Sequence, residues 1–465
     1  MKTRLQMIRC AVGVLSIAAM AWAQIPTDSL QTVADTAGAT LLLPYFEVDL
    51  SNPTGMDTIF SINNMGATTN GNQGATAILV HVVIWSDLGV PVFNFNVYLT
   101  GYDIQLIDMR KVLTGSLPQT ASAGQDPMDA ISPHGFLSQD INFASCFTPN
   151  NFIPPINSYA RLPPAPLTAA QIDNLQKSLT GQASANMGGM CAGLNHSDNI
   201  ARGYVTMDTV NNCTSRFPAD VGYLAAFGGG DTTDQTQITG EVFYVDQLHA
   251  IARGDNLVHI HADPVNALTT TSGNYTFYGT YDGFTAVDNR QPLATEFGAR
   301  FVNGNFALAP VVGSSSPAWG MPPASPPAGS TSLIVWRDTK VLQGYFTCGS
   351  LPSWYPLPQE GLVAFDEQEH PQTMSAFTLL NFPVGFPAAA QVVPVGGSAL
   401  PVSFASGWLF LDLNATVTGQ VSGQTDATAA QAWVQVIEQN GSQIFNLMHR
   451  AQQLDSATAV QHIVP

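Results

Sequence analysis

Two histidines one residue apart, His259 and His261, are the sharpest candidates for chemistry in this chain. On a strand, residues i and i+2 share a face, so the two imidazoles could hold one metal ion between them. A second candidate is the run Asp366-Glu367-Gln368-Glu369-His370, the densest acidic cluster in the sequence. Asp366 and Glu369 there could supply oxygen ligands to Ca2+, or half of a hydrolytic carboxylate pair. Turns at Asp49, Asn52 and Asp57, and at Asp231 and Asp234, are oxygen-rich in the same way. Against these stand plainer readings: a charge run is usually a solvated loop, and a strand histidine usually a polar residue with ordinary partners.

The octet Gly254-Asp-Asn-Leu-Val-His-Ile-His resembles the first motif of the cupin family, which are metal-binding barrels. That resemblance implies a metal held by His259 and His261, by a glutamate three or four residues later, and by a third histidine further on. This chain departs from the pattern. Ala262 to Ala267 include Asp263 and no glutamate, and His370 is the later histidine available.

Sugar stacking is the next chemistry to weigh. Trp354 and Tyr355 lie between Pro352 and Pro356, which favours a loop over a strand and makes them the preferred ligand-binding pair. Trp85, Trp336, Trp408 and Trp433 are open to the same use, with β-core packing as the plainer reading for each. No GxSxG elbow, phosphate-binding glycine loop or HExxH is present, and no catalytic residue is assigned.

The N-terminus has the pattern of a signal peptide: Lys2, Arg4 and Arg9, an apolar run over residues 10–20, then Ala21-Trp22-Ala23 before Gln24. Cleavage there removes three basic residues and no acidic one, leaving 12 basic against 33 acidic, formally −21. Such a charge disfavours nucleic acid, whose phosphates need clustered Lys and Arg, and favours bound cations. Ca2+ is the one cofactor the sequence suggests. No later run has the roughly 18 apolar residues of a membrane span, so no integral anchor is expected. The expected location is secreted, extracellular or periplasmic. In that setting the four cysteines left, Cys146, Cys191, Cys213 and Cys348, read as two disulfides. Three pairings are open, and proximity favours Cys191 with Cys213.

What must position these groups is a β-rich framework. Charged residues make up only 10% of the chain, and short alternating apolar runs recur between Gly, Pro and Asn turns. Strands are expected near residues 40–50 (an edge strand or a bend, because of Pro44), 58–63, 75–85, 92–99, 103–109, 204–210, 240–245, 257–261, 276–281, 296–301, 331–336, 341–347, 374–380, 407–413, 431–438 and 442–448. One helix is expected over 169–179, capped by Thr168 with Gln171 in capping-box position. The fold class is therefore all-β: tandem β-sandwich domains, Ig-like or jelly-roll-like, with long irregular loops and one short helix. The expected divisions are a signal peptide at 1–23, an N-terminal β-domain at 24–125, a loop-rich middle region at 126–330 ending in a Pro/Ser/Gly break at 313–330, and a C-terminal β-domain at 331–465. Low charge, scarce lysine and disulfide bracing point to an exported, non-enzymatic structural protein of a surface or matrix that self-assembles. The leader at 24–39 is a candidate arm for a neighbour's sheet edge. The alternatives are a carbohydrate-binding or calcium-dependent adhesion protein that meets a surface glycan, and a secreted metal- or carboxylate-dependent hydrolase.

Overall fold

The computed structural model describes residues 36–66, 78–99, 102–118, 167–211, 213–224, 230–262, 276–278, 290–304, 329–338, 343–357, 359, 361–373, 378–379, 382–383, 385–414, 431–440 and 446–454. The first half of the chain runs β1 (Thr40–Asp49), β2 (Asp57–Asn64), β3 (Ile78–Ser86), β4 (Pro91–Leu99), β5 (Ile104–Asp108), α1 (Met109–Leu113), α2 (Ala169–Leu179), β6 (Ile200–Val210), β7 (Ile238–Thr239), β8 (Glu241–Asp246), β9 (Ile251–Asn256) and β10 (Val258–Ile260). The second half runs β11 (Glu296–Val302), β12 (Gly329–Asp338), β13 (Gly361–Phe365), β14 (Pro371–Thr373), β15 (Thr378–Leu379), β16 (Phe382–Pro383), β17 (Ala390–Pro394), β18 (Ser406–Asp412), β19 (Gln431–Asn440), β20 (Asn446–Arg450) and β21 (Gln452–Gln453). Every pairing between these strands is antiparallel. The protein is all-β.

Four sheets carry the fold. The first has the order β10-β1-β6-β3-β4, and the second β5-β2-β8-β9 with β7 also beside β2. The third is β17-β12-β19-β20 and the fourth β14-β13-β18-β11-β21, while β15 and β16 form a separate small ladder. Period-two alternation explains how they stack. On β12, Leu333 and Val335 point into a core shared with Phe297, Leu362, Leu409 and Leu411 of the fourth sheet. The intervening Ile334 and Trp336 point the other way, into the core of the first and second sheets. β19 divides likewise, with Val434 and Val436 on one side and Trp433 and Ile437 on the other. Two sheet pairs thus meet through the third sheet, which is apolar on both faces. At the junction Tyr204 of β6 stacks on Trp85 of β3 with centroids 5.4 Å apart and meets Trp336 edge-on at 5.9 Å.

β3 is buried at all nine positions, as its unbroken apolar run requires of a central strand. β1 resolves the two readings of Pro44. β10 pairs only with Thr40, Leu41 and Leu42, and the register against β6 shifts between Leu43 and Phe46. The proline sits in that bulge, where β1 has become an edge and bends toward β2. Helix α2 forms over the expected residues with its capping box complete: the Gln171 N–H donates to the Thr168 hydroxyl, and Gln171 Oε1 accepts the Thr168 N–H at 2.9 Å.

Four expectations change. The first sheet joins β1, β3 and β4 to β6 and β10, so its strands come from residues 40–260 and cross the division expected at residue 125. Phe277 and Tyr278 form a turn, with both rings buried against the sheet junction, where a strand was expected. Of the segment expected as a strand at 341–347, the described residues 343–347 contribute only an isolated bridge, Cys191 to Phe346. That bridge brings Cys348 to Cys191, with sulfurs 2.00 Å and Cα atoms 5.1 Å apart. The disulfide is Cys191–Cys348 and not Cys191–Cys213. Sequence proximity misled because the fold brings together two cysteines separated by 157 positions in sequence. Cys213 is also disulfide-bonded, and Cys146 lies outside the described residues, as do residues 1–23, most of the leader and most of the 313–330 break.

Candidate functional site

His259 lies within β10 and His261 directly follows it, at the open edge of the first sheet, where His259 stands opposite Leu41. Both rings close on one residue. His259 Nδ1 lies 2.9 Å from the Thr36 carbonyl oxygen, and His261 Nε2 lies 2.7 Å from the Thr36 hydroxyl. A carbonyl only accepts, so His259 carries its proton on Nδ1. Its Nε2 then accepts the Gly240 N–H at 3.3 Å. Burial, and next the charge of His259, lower the pKa of His261. Among the described residues no three His, Cys, Asp or Glu side chains are grouped closely enough to hold a metal ion. The barrel that the cupin resemblance implies is replaced by an open sheet in which β10 is an edge strand.

The acidic cluster lies on the other sheet pair, in the hairpin between β13 and β14. Asp366 accepts the backbone N–H groups of Gln368 and His370 at 2.9 and 2.8 Å, and its Oδ2 meets His370 Nδ1 at 2.8 Å. Glu367 pairs with Arg300 at 3.0 Å, and Glu369 takes a left-handed backbone with φ of 65°. The carboxylate of Asp366 closes the turn, and the structure does not bring Asp366 or Glu369 to His259 or His261. The Asp49 turn is similar: its carboxylate accepts from Ser51 and Asn52, and Asn52 accepts from Thr54. Asp231 pairs with Arg216 at 2.8 Å.

Trp354 is half-buried and packs against the core, edge-on to Phe346 with centroids 6.2 Å apart. It wedges the segment that carries Cys348, and Tyr355 beside it precedes a cis proline. Among the described tryptophans the one that faces solvent is Trp408 of β18, 41% exposed, with the Arg300 guanidinium 5.1 Å from its ring centroid. Alternation in Ser-Gly-Trp-Leu-Phe-Leu-Asp shows why: Leu409 and Leu411 are buried, so Trp408 and Phe410 turn outward.

Sequence reasoning missed the most polar spot in the molecule. Asn96, His81, Asp208 and Thr40 form one row across β4, β3, β6 and β1, all fully buried. The Asp208 carboxylate accepts the hydroxyl of Thr40 on one oxygen and those of Tyr223 and Tyr278, at 2.5 and 2.7 Å, on the other. Arg290 Nε lies 3.5 Å from it and also donates to Thr40 and to the Thr233 carbonyl. Burial, then Asp208, push both tyrosines well above the ordinary phenol pKa. The visible signal was an aspartate inside the apolar strand Tyr204–Val210. Arg337 is equally enclosed. It donates to the carbonyls of Leu357, Phe386 and Leu413, and burial lowers its pKa to about 9. Among the described residues Asp208, Tyr223, Tyr278, Arg290 and Arg337 are all fully buried.

A cavity of about 450 Å³ opens at the edge strand β5, lined by Ile59, Leu106, Ile107, Val112, Leu117 and Pro118 among others. Next to it Ile104 and Leu106 are 57% and 60% exposed, and Phe243 of β8 lies on the same outer face of the second sheet. Among the described residues no helix is long and apolar enough to cross a membrane. No protein-family model, curated protein or solved structure matches the chain.

Proposed function

We propose that the protein is an exported, non-enzymatic building block of a surface or matrix, and that copies associate through the outer face of the second sheet at β5. The observation that carries this reading is the pair Ile104 and Leu106, held out to solvent on an edge strand beside an apolar cavity. The chain carries a formal charge of −18, so copies repel one another except where charge is sparse. Ile104, Leu106, Ile59 and Phe243 give this face an apolar patch, with Asp108 and Glu241 at its rim. The contact is face to face rather than strand addition. Asp103 accepts the Ile104 N–H at 2.9 Å and the Gln105 amide donates to the Leu106 carbonyl at 2.8 Å, which occupies part of the backbone edge. The signal-peptide pattern and the Cys191–Cys348 bridge support export. Light scattering on chromatographed protein tests the proposal. Mass above that of one chain, rising with concentration, supports it, and a concentration-independent monomer overturns it.

A second reading has its own observation. The outward Trp408, Arg300 and Glu367 on the fourth sheet form an aromatic and hydrogen-bonding patch suited to a surface glycan. Glycan-array binding that is lost in Trp408→Ala supports it, and array binding unaffected by that substitution counts against it.

A further inference from the structure

We infer that the seam between β9 and the inner face of the third sheet is wet: ordered water molecules take the hydrogen bonds that Trp336, Trp433 and Gln435 do not make to protein. Register puts these three side chains together. On β12, Ile334 and Trp336 share the face turned to the first and second sheets, and on β19 Trp433, Gln435 and Ile437 share it. Trp336 stands opposite Trp433, and Ile334 opposite Gln435. Gln435 is fully buried, and the two indoles are 2% and 3% exposed. Across the seam β9 contributes Arg253 and Asp255, which stand opposite the core residues Tyr244 and Val242 of β8. Gln435 Nε2 donates to Asp255 Oδ2 at 3.1 Å, and the Arg253 guanidinium lies 5.3 Å from the Tyr244 ring centroid.

Four buried atoms here have no hydrogen-bond partner among the described residues: Nε1 of Trp336, Nε1 of Trp433, Oε1 of Gln435 and Nε of Arg253. Buried polar atoms are nearly always paired, so each of these needs a partner. Reversing the Gln435 amide does not supply one, because Oε1 would then face the Asp255 carboxylate. Trp85 of the first sheet shows the contrast, since its indole N–H donates to the Thr206 hydroxyl at 2.9 Å. The unpaired set fixes the chemistry of what fills the seam. Three of the atoms are donors and one is an acceptor. A metal cation accepts nothing from an indole N–H, and an ionised anion donates nothing to Gln435 Oε1. Water does both. The mouth of the seam lies at β9, an edge strand, where Arg253 and Asp255 are half-buried and the neighbouring β20 carries half-buried His449 and exposed Arg450. This inference stands apart from the assembly reading, since it concerns the interior of one chain.

A high-resolution crystal structure of the wild-type protein tests it. Discrete water density should lie within hydrogen-bonding distance of Trp336 Nε1, Trp433 Nε1 and Gln435 Oε1. Protein groups bonded to these atoms, or a seam closed around them without density, overturn the inference. Raman spectroscopy of the indole N–H gives the same test in solution. The difference spectrum of wild type minus Trp433→Phe isolates the Trp433 band, and that band should be shifted to the position of a hydrogen-bonded indole. A band at the position of an indole free of hydrogen bonds contradicts the wet seam. Should Trp433→Phe fail to fold, Trp336→Phe is read in the same way, and the crystal structure decides without either variant.

Discussion

Tyr278 donates its hydroxyl to Asp208 at 2.7 Å across 70 residues of sequence, on the same carboxylate oxygen that Tyr223 reaches. One buried oxygen thus ties the turn at 276–278 and the loop at 220–224 to the central strand of the first sheet. Hydrogen bonds to a charged group are each worth about 1.5–3 kcal/mol. Tyr223→Phe and Tyr278→Phe should therefore each lower unfolding free energy by about that much. Asp208→Ala should cost more, roughly 3–5 kcal/mol, because it removes the buried carboxylate beside Arg290 together with three hydroxyl bonds. Urea unfolding of the three variants measures these losses.

The Cys191–Cys348 bridge closes a loop with a sequence separation of 157 residues. Loss of a native disulfide typically costs about 2–5 kcal/mol, and the long loop favours the upper part of that range. Cys191→Ser/Cys348→Ser should show a clearly lower Tm by calorimetry, together with faster proteolysis in the segment around Trp354. A substitution pair is preferable to a reductant, which would also reach the bond at Cys213.

Acid–base behaviour carries a signature at Asp57. Burial, then the charge of Asp108, raise the pKa of Asp57 to about 6 against the pull of Arg110. Its folded value exceeds its unfolded one, so its contribution is fully present below the unfolded value and is lost as pH rises toward 6. Asp57→Asn should flatten the decline in stability between about pH 4 and pH 6, read from urea midpoints across that range.

Two tryptophans on neighbouring sheets make a control pair. Trp336 is buried between the sheet pairs against Tyr204 and Phe277. Trp336→Ala should cost about 3–5 kcal/mol. Trp408 lies on the outer face, so Trp408→Ala should cost about 1 kcal/mol or less. Chemical denaturation of both variants checks the order.

Local grammar was legible in the sequence wherever neighbours in the chain decide the outcome. The capping box at Thr168 and Gln171 set the start of α2, and alternation set most strands, β12 and β18 among them. Pro44 announced its bulge. Outcomes decided by distant partners were not legible. Cys348 reaches Cys191 only because Phe346 bridges to it, and Trp354 sits inside because that bridge pulls its segment onto the core. Asp208 could be seen as an aspartate among apolar residues, but its partners Thr40, Tyr223, Tyr278 and Arg290 come from four separate places. The histidine pair was legible as a pair on one face. Its partner, Thr36, was hidden because 223 residues separate it from His259.

Sedimentation velocity of the wild type and of Ile104→Lys/Leu106→Lys, over a wide range of concentration, tests the central claim most directly. Both side chains are largely exposed, so the substitutions leave the fold intact, with an unchanged Tm as the control. Wild-type sedimentation should increase with concentration, while the double variant stays monomeric throughout. A wild type that remains a monomer at every concentration, or a variant that associates as strongly as the wild type, would contradict assembly through this face.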